Sequence, residues 1–368
     1  MSVNYGAIVP PNEGPLRYIL KGLFGGYRGG FSDIQYYFHN HHYGENELRD
    51  MWEYELDLSQ EDVDLVVGHA WEILGREYTY YFLRENCAYQ MAQLLEVIIG
   101  LDITPANPVW NLPQTLLKNI SRETYQGRPL VKSITYHPSR QARLYSRFSS
   151  LSSIEKGQVE TIVDNIERLD SAAFGSLPVE GQRRVLDTLL DYYQFVRDEE
   201  ALESDIKNHH YTRVLAARFA TAAAPSELQL VTPEPPDTGR APSLLRFEAL
   251  SNQRFGSGAA ITLRPAYYDS LDADHSHVPG AELKMGELRL KLLDDKVRLD
   301  AWHLFSVDSV HISSTGLPGD KSSAWRLRLA TEQQSLACID CLVVRPRGDI
   351  GYTFRPLDRL LTCKPPLE

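Results

Sequence analysis

The stretch ELRLKLLDDKVRLDA, residues 287–301, decides the fold of the second half of the chain. Apolar and charged residues alternate through 287–292 and again through 296–301, and Asp294-Asp295 lies between the two runs. Alternation with a period of two is typical of a strand with one apolar face, and a two-residue polar separator is typical of a tight turn. The stretch therefore predicts two antiparallel strands joined as a hairpin.

The same alternation returns elsewhere in residues 243–368, for example in WRLRL at 325–329. About six or seven such segments, separated by Gly, Pro and Asp, predict an antiparallel all-β region. A soluble sheet with one wet face and a portion of a membrane barrel share this pattern, because barrel strands carry a weak signal individually. Since outer-membrane barrels have at least about eight strands, we expect an incomplete barrel or a sheet.

The chain before residue 243 has a different periodicity. Helical patterns predict helices at 138–149, 152–169, 178–198 and 203–222, and residues 223–242 have the Ala- and Pro-rich composition of a linker. We therefore divide the chain into an α+β domain at 1–137, a helical extension packed on it at 138–222, a linker at 223–242 and the β region at 243–368.

Within the first domain, aromatic or alternating runs predict strands at Phe31–Phe38, Met51–Leu56 and Tyr78–Leu83. Ser59, with Asp62 three residues later, predicts the start of a helix by side-chain capping. The glycine run KGLFGGYRGG at 21–30 predicts a flexible connection. It is not a phosphate-binding loop, because no strand precedes it and no Lys-Ser/Thr pair follows it.

Asn86-Cys87 is the pair of residues best placed to carry chemistry. Asn86 is a favoured N-cap residue, which places Cys87 in the first turn of a helix predicted to run to about Ile99. Unpaired backbone N–H groups and the helix dipole stabilise a thiolate there, so Cys87 is our candidate catalytic nucleophile. The alternative is a small buried hydrophobic residue, since free cysteine is among the most buried residue types.

A thiol nucleophile needs a base, and the nearby candidates are His39, His41, His42 and His69. The HNHH cluster at 39–42 could instead bind a metal. However, His41 and His42 point apart in a strand, and no Cys or Asp lies nearby at ligand spacing. We therefore predict no metal site and no cofactor.

The other three cysteines, Cys338, Cys341 and Cys363, cluster near the end of the chain. Cys338 and Cys341 have CxxC spacing among predicted strands, where a thioredoxin-like site would begin a helix instead. The cluster predicts a structural disulfide in an oxidising compartment, with the pairing open and one thiol left over.

Charge and hydropathy exclude some classes of function. The formal net charge of -11 argues against a nucleic-acid partner, because neutralising phosphates requires a basic surface. The sequence contains no run of 18 apolar residues, so it predicts no membrane-spanning helix. The start MSVNYGAIVPPNEGP has no charged segment and no apolar core, so it is not a signal peptide.

Three ordered motifs carry a family resemblance: VNYGAIVPPNEGPLRYILKGLFGGYRGGFSDIQYY, RDMWEYELDLS and YYFLRENCAYQMAQLLEV. Together they resemble the Lnb N-terminal periplasmic domain family, whose function is poorly defined. The segment RPAYYDSLDADHSHVPGAELKMGELRL resembles the β-barrel-like region that commonly follows this domain. The resemblance covers most of residues 3–120 and extends over most of the chain.

The resemblance implies a papain-like, permuted NlpC/P60-related fold in which Asn86 and Cys87 match the Asn-Cys of the family pattern. The family's histidine belongs to a Gly-His motif upstream of the segment that matches VNYGA, where this chain begins. The resemblance also implies a periplasmic or outer-membrane location. Envelope peptide or lipid would be the partner, and the β region would provide the outer-membrane association.

Two hypotheses follow for function. The first is a cell-envelope thiol hydrolase or acyltransferase that uses Cys87. The second is a catalytically inactive envelope or outer-membrane-associated binding or scaffold protein. A histidine nitrogen within hydrogen-bonding reach of the Cys87 sulfur would favour the first, and its absence would favour the second. A third hypothesis is a cytoplasmic protein with an unrelated sheet, which reduced Cys338, Cys341 and Cys363 would favour.

Overall fold

The computed structural model describes residues 2–33, 35, 41–105, 110–196, 201–221, 230, 232–253, 256–270, 272, 277–293, 295–333, 341–354 and 361–363. The first domain combines short strands with helices. Its elements are β1 (Val3–Ile8), α1 (Pro15–Phe24), β2 (Tyr27–Asp33), a π-helical turn (His41–Asn46), β3 (Met51–Leu56), α2 (Gln60–Ile73), β4 (Glu77–Tyr80), α3 (Cys87–Leu95), α4 (Pro113–Arg122), β5 (Thr124–Tyr125), β6 (Arg128–Pro129) and β7 (Val131–His137).

Strands β1, β2 and β4 form an antiparallel sheet in the order β1-β2-β4, while β3 pairs with β7. The predicted strand Met51–Leu56 and the capped helix after Ser59 are confirmed, because the Ser59 hydroxyl accepts a 3.2 Å hydrogen bond from the Asp62 N–H. The predicted strand at Tyr78–Leu83 is shorter and shifted by one residue, and residues 81–86 form the irregular approach to α3.

The glycine run is not a flexible connection, which corrects the sequence prediction. Gly25 ends α1 in the left-handed conformation, and Gly29 and Gly30 lie inside β2. A Cβ atom at Gly29 would lie 2.6 Å from the Tyr5 hydroxyl oxygen and 2.9 Å from the Tyr80 ring. Glycine is required at position 29 because the Tyr5 and Tyr80 side chains cross this strand. Strand β2 therefore includes the second half of the glycine run, and it begins before the aromatic run from which a strand was predicted.

The helical layer contains α5 (Arg140–Ser150), α6 (Ser153–Asp164), a 3-10 turn (Ile166–Asp170), α7 (Ala172–Gly175), α8 (Val179–Phe195) and α9 (Ala201–Ala220). The four predicted helices are found in order as α5, α6, α8 and α9, with a 3-10 turn completing the second, and the short helix α7 was not predicted. Their apolar faces form the largest buried cluster of the described residues, and Leu317 from the β region inserts into it. Glu45 fastens this layer to the first domain by ion pairs with Arg140 and Arg143 at 2.7 and 2.6 Å.

The described part of the predicted linker is bound to the first domain. It includes a 3-10 turn at Pro236–Thr238, and the Asp237 carboxylate accepts a 2.6 Å hydrogen bond from the Tyr54 hydroxyl. Gln114 and Lys118 of α4 donate to the carbonyl oxygens of Arg240 and Gly239. Residues 236–240 therefore form a docked segment, because α4 supplies donors for backbone carbonyls that a free linker would leave to water.

The β region is one antiparallel sheet. Its strands are β8 (Leu244–Asn252), β9 (Gly256–Arg264), β10 (Ala266–Tyr268), β11 (Ala281–Leu293), β12 (Lys296–His311), β13 (Ser323–Gln333), β14 (Leu342–Phe354) and β15 (Leu361–Cys363). The order is β15-β14-β13-β12-β11-β9-β8, with β10 also paired to β11. Among the described strands, β8 and β15 are edges that do not pair with each other, so the sheet is not closed into a barrel, in agreement with the expectation of an incomplete barrel or a sheet.

The hairpin at 287–301 is confirmed. Leu293 pairs with Lys296 at the turn, Asp295 has a φ of 58°, and a bulge follows Arg289. A carboxylate residue tolerates this left-handed conformation better than an apolar residue does, which explains the acidic pair at the turn.

The two faces of the sheet are inverted relative to a soluble sheet. The outward face is apolar and exposed: Leu245, Phe247, Ile261, Leu263, Leu292, Val297, Trp302, Leu304, Trp325, Leu327, Val344, Ile350, Tyr352 and Phe354. The opposite face carries charged residues that are mostly shielded from solvent, including Arg264, Asp300, Asp308 and Asp349. Of the two alternatives that the pattern left open, the soluble sheet with one wet polar face fits these strands less well, because here the apolar face is the open one.

Ion pairs compensate the charges on the covered face. Arg326 makes two 2.5 Å hydrogen bonds to Asp308, and Arg264 makes one of 2.7 Å to Asp269. A cavity of about 470 Å³ on this face is lined by charged and polar residues, among them Glu248, Arg289 and His303. Buried charges persist only when paired, so this face is built as a polar interior.

Candidate functional site

The cysteine site is built on the first turn of α3. The Asn86 side-chain oxygen accepts a 3.1 Å hydrogen bond from the Tyr89 N–H, which confirms the predicted N-cap. Its amide nitrogen donates to the carbonyl oxygens of Phe82 and Asn111, at 3.2 and 2.6 Å. Cys87 is a free, exposed thiol at the first helical position. The alternative of a buried structural cysteine is therefore wrong.

Tyr80 lies close enough to Cys87 for the charge of the thiolate to affect its hydroxyl. Burial raises the pKa of Tyr80 well above its ordinary value, and so do the charge of an ionised Cys87 and a hydrogen bond to the Cys87 side chain. A hydrogen bond with the Cys87 backbone acts in the opposite direction. Because the Tyr80 hydroxyl stays protonated at neutral pH, it is a donor to the sulfur and not a base.

The charge of Cys87 also affects two further tyrosines, Tyr5 and Tyr267. Tyr5 is 2% exposed, its ring stacks on Tyr80 at 6.0 Å, and its hydroxyl has no hydrogen-bond partner among the described residues. Burial, followed by the charges of Tyr78, Glu85 and Cys87, raises the pKa of Tyr5 to about 12. The pKa of Tyr267 in β10 is raised by burial, by the charge of Tyr268 and by the charge of Cys87. Protonated hydroxyls from both domains therefore lie near Cys87.

No histidine side chain in the described part of the chain is hydrogen-bonded to Cys87. His69 lies 3.5 Å from Glu72 on α2, and His137 forms a 2.8 Å hydrogen bond with Glu53. His39 and the side chains of His41 and His42 lie outside the described residues, so neither a base nor a metal role for the HNHH cluster is tested. The two histidine side chains described in the first domain, those of His69 and His137, therefore each interact with a glutamate carboxylate.

The cysteine cluster of the β region contains a disulfide, because Cys341 is disulfide-bonded. Cys87 is free, so the partner of Cys341 is either Cys338 or Cys363. Cys338 lies outside the described residues, as does the side chain of Cys363. The predicted disulfide is confirmed, so the fully reduced cluster that would favour the cytoplasmic hypothesis is not found.

Sequence reasoning found Asn86 and Cys87 but missed Tyr5, Tyr80, Tyr267 and Gly29 as parts of one site. An available signal was the glycine run beside aromatic-rich segments, since a glycine in a strand often marks a close approach by another group. No local signal marks Tyr267, which is 180 residues from Cys87 along the chain. Its role depends entirely on how the two domains dock.

The fold and site together define a class: an α+β domain with a thiol at a helix start, followed by an antiparallel sheet with an outward apolar face. Residues 1–122 match the model of the Lnb N-terminal periplasmic domain, and residues 233–363 match a domain of unknown function, DUF7840. The chain therefore carries an Lnb N-terminal periplasmic domain at residues 1–122, which confirms the resemblance, and DUF7840 at residues 233–363.

A search of curated proteins gives no significant match, and neither does a search of solved structures. None of the helices in the described ranges is long and apolar enough to cross a membrane.

Proposed function

We propose that this cell-envelope protein lies against the outer membrane through the apolar face of its C-terminal sheet and serves as a binding or scaffold module. The observation that carries the proposal is the inversion of the sheet, with apolar side chains outward and paired charges inward. An exposed apolar patch of this extent marks an interaction surface. Lipid is the occupant that suits it, because the apolar positions continue across strands β8 to β14 without a rim of charges between them.

Hydrophobic burial is the driving force for this association. Covering each large aliphatic side chain contributes about 1.5–3 kcal/mol when the side chain goes from fully exposed to fully buried. The net charge of -11 would repel anionic lipid, so the association does not depend on charge attraction. Raising the salt concentration should therefore leave binding unchanged or strengthen it.

Vesicle flotation tests the proposal with the full chain and vesicles of phosphatidylethanolamine and phosphatidylglycerol. Val344 and Ile350 are 72% and 70% exposed on β14, so Val344→Glu/Ile350→Glu should leave the fold intact. We expect the double variant to reduce the vesicle-bound fraction at least about tenfold, because charged side chains on a lipid-facing strand are strongly disfavoured.

Ile154→Glu is the matched control, since Ile154 is also 70% exposed but lies on α6 in the helical layer. It should float with vesicles as the wild-type protein does. Equal flotation of the double variant and the control would contradict the proposal. The proposal would also be contradicted if the wild-type protein did not float with vesicles but formed a dimer, and the double variant were a monomer.

The second candidate function is a thiol-dependent hydrolase or acyltransferase of papain-like type, favoured by the free Cys87 at a capped helix start beside the Tyr80 donor. The Cys87 thiolate would attack the carbonyl carbon of an ester or amide, and tyrosine hydroxyls would donate to the oxyanion that forms. Collapse of that intermediate would break the bond to the leaving oxygen or nitrogen, which takes a proton from water and departs as the alcohol or amine. Water or an acceptor hydroxyl or amine would then attack the thioester carbonyl, which releases the acyl group and returns the Cys87 thiolate.

Alkylation kinetics test this second candidate. We expect iodoacetamide to label Cys87 at pH 7 at least about tenfold faster than a cysteine in an unstructured peptide, because the helix start stabilises the thiolate. Tyr80→Phe should slow labelling about fivefold, since it removes a donor to charged sulfur worth about 1 kcal/mol. The adjacent Tyr81→Phe is the control. A peptide-like rate in the wild-type protein would leave only the scaffold function.

A further inference from the structure

A row of residues crosses the covered face of the C-terminal sheet. It occupies directly opposite positions on β8, β9, β11, β12 and β13, which are neighbours in the sheet. Directly opposite residues of neighbouring strands point to the same face. All members of this row line the cavity of about 470 Å³. In order across the sheet they are Arg246, Thr262, Arg289, Ala301 and Glu332.

The middle of the row leaves room for a ligand, because Ala301 has only a methyl side chain. Arg289 and Glu332 flank it two strands apart, so their backbones are separated by roughly 9–10 Å at the usual strand spacing. No ion pair among the described residues joins these two. Glu332 instead contacts His303 at 4.0 Å and Arg345 at 3.3 Å, and the Arg345 side chain is 55% exposed. A cation and a carboxylate therefore lie on opposite sides of the cavity.

Arg289 and Gln333, which both line the cavity, each have a buried polar atom without a hydrogen-bond partner among the described residues: Arg289 Nε and Gln333 Oε1. The terminal nitrogens of Arg289 contact Glu248 and Asp300 at 3.3 and 3.4 Å. The Gln333 amide nitrogen donates to a backbone carbonyl oxygen at 3.3 Å. The cation thus has a donor to spare, and an acceptor to spare follows Glu332 in the chain. Buried polar atoms normally have partners, so this pair indicates a ligand with both an acceptor and a donor.

The cavity is reached from solvent at its Arg246 end. The side chains of Arg246 and Arg289 are 41% and 33% exposed, whereas those of Glu287 and His303 are each 13% exposed. Its volume lies within the range of about 300–1,000 Å³ that small-molecule sites occupy. Ala301 is the only apolar residue among the described residues that line it. The walls therefore suit a small polar solute and not a lipid chain.

We propose that this cavity binds a zwitterion of dipeptide size, with the ligand carboxylate on Arg289 and its ammonium group on Glu332 and Gln333. A simple anion would meet the Glu332 carboxylate, and a simple cation would meet Arg246 and Arg289. A dipeptide spans the two strand spacings better than a single amino acid does, because a peptide unit separates its terminal charges. The site lies on the face opposite the proposed membrane contact, so the inference goes beyond the proposed function and does not depend on it.

Isothermal titration of the full-length protein with alanylalanine, without vesicles, tests the site. We expect saturable binding of one dipeptide per chain. N-acetylation of the dipeptide removes its ammonium group, and amidation removes its carboxylate. Each change should weaken binding at least about tenfold, because each removes a charge-assisted hydrogen bond. Alanine should bind more weakly than the dipeptide. These comparisons use the wild-type protein, so they do not depend on the folding of a variant.

Substitutions locate the binding. Arg289→Gln and Glu332→Gln should each weaken dipeptide binding at least about tenfold. Ala301→Leu should abolish it, because the larger side chain fills the middle of the row. Arg347→Gln is the matched control, since Arg347 is 38% exposed and pairs with Asp349 at 2.9 Å on β14, outside the cavity lining. It should bind the dipeptide as the wild-type protein does, and circular dichroism verifies the fold of each variant.

The proposal is overturned if the wild-type protein does not bind alanylalanine, which would mean that the cavity holds water only. It is also overturned if the acetylated and amidated dipeptides bind as tightly as the parent, or if Arg347→Gln weakens binding as much as Arg289→Gln does. Failure of the membrane association is a separate outcome. In that case the protein does not float with vesicles, while dipeptide binding in solution is unchanged.

Discussion

Asn86 performs two tasks with one side chain. Its oxygen caps α3, and its amide nitrogen donates to two backbone carbonyls from separate segments of the first domain. The residue is 2% exposed, so neither carbonyl can find water if the donor is removed. The position of Cys87 therefore depends on Asn86 more than an ordinary cap would require.

Substitution of Asn86 separates these tasks. We expect Asn86→Ala to lower the free energy of unfolding by about 3 kcal/mol, about 1 from the cap and about 1 from each carbonyl left without a donor. Asn86→Asp keeps the cap but places a carboxylate against two carbonyl oxygens, so its loss should be at least as large. Urea unfolding followed by circular dichroism measures both.

Asn165→Asp is the control for this prediction. Asn165 is exposed and makes the comparable capping bond, to the Glu167 N–H at 3.0 Å. Aspartate retains that bond, and the free energy of unfolding should stay close to the wild-type value. If Asn86→Asp were as stable as Asn165→Asp, the two carbonyl contacts would contribute nothing.

At the scale of elements, the loop between β12 and β13 joins the sheet to the helical layer. Asp320 organises this loop by accepting bonds from the Ser314 and Thr315 N–H groups, at 3.1 and 2.9 Å. Tyr145 of α5 donates to its other oxygen at 2.6 Å. Leu317 of the same loop is buried in the helical core, so one carboxylate sets both the loop shape and the domain contact.

We expect Asp320→Asn to lower the free energy of unfolding by about 2–3 kcal/mol, because an amide cannot accept from donors on both sides at once. Thermal unfolding measures the loss. Asp170→Asn is the control, since Asp170 pairs with Arg213 on the surface with 74% of its side chain exposed. That substitution should have no measurable effect. Equal melting temperatures for the two variants would contradict the role of Asp320.

At the scale of the whole molecule, the carboxylates that join the parts of the chain share one electrostatic property. Burial acts to raise the pKa of Glu45, but hydrogen bonds from Arg143 and Arg140 outweigh it and hold the pKa below its ordinary value. Asp320 behaves alike, with burial outweighed by bonds from Tyr145, Thr315 and Ser313. Each group therefore binds a proton less readily in the folded protein than in the unfolded chain.

This difference predicts acid instability. Stability from a lowered pKa is present above the unfolded value and is lost as the pH falls through the folded value. We expect the urea midpoint to fall between about pH 5 and pH 3, the range in which carboxylates titrate. Asp191 opposes this, because burial raises its pKa despite Arg147 and Arg143, and its contribution is lost as the pH rises.

Glu45→Gln provides the check on this assignment. The variant is less stable than the wild-type protein at pH 7, and it should lose less further stability between pH 5 and pH 3. A wild-type midpoint that stays constant down to pH 3 would contradict the assignment, as would parallel losses in the two proteins.

A feature could be predicted from the sequence when the residues that determine it lie close together along the chain. The hairpin at 287–301, the cap at Ser59 and the cap at Asn86 were predicted correctly, since each depends on residues within a few positions. The glycine run at 21–30 was interpreted wrongly, because Gly29 is explained by Tyr5 and Tyr80 on other strands. The docking of residues 236–240 was not predicted for the same reason, since Gln114 and Lys118 bind this segment from α4.

The sequence by itself determined the helical layer, the alternating strands, the thiol at a helix start and the family, because periodicity, capping and motif order are local properties. Only the tertiary structure decided which face of the sheet is open, since alternation is the same whether the apolar side faces inward or outward. It also decided that tyrosines from both domains lie within range of the charge of Cys87. Such proximity depends on the docking of segments far apart in the chain. Local patterns of residue type and spacing do not predict which distant segments dock.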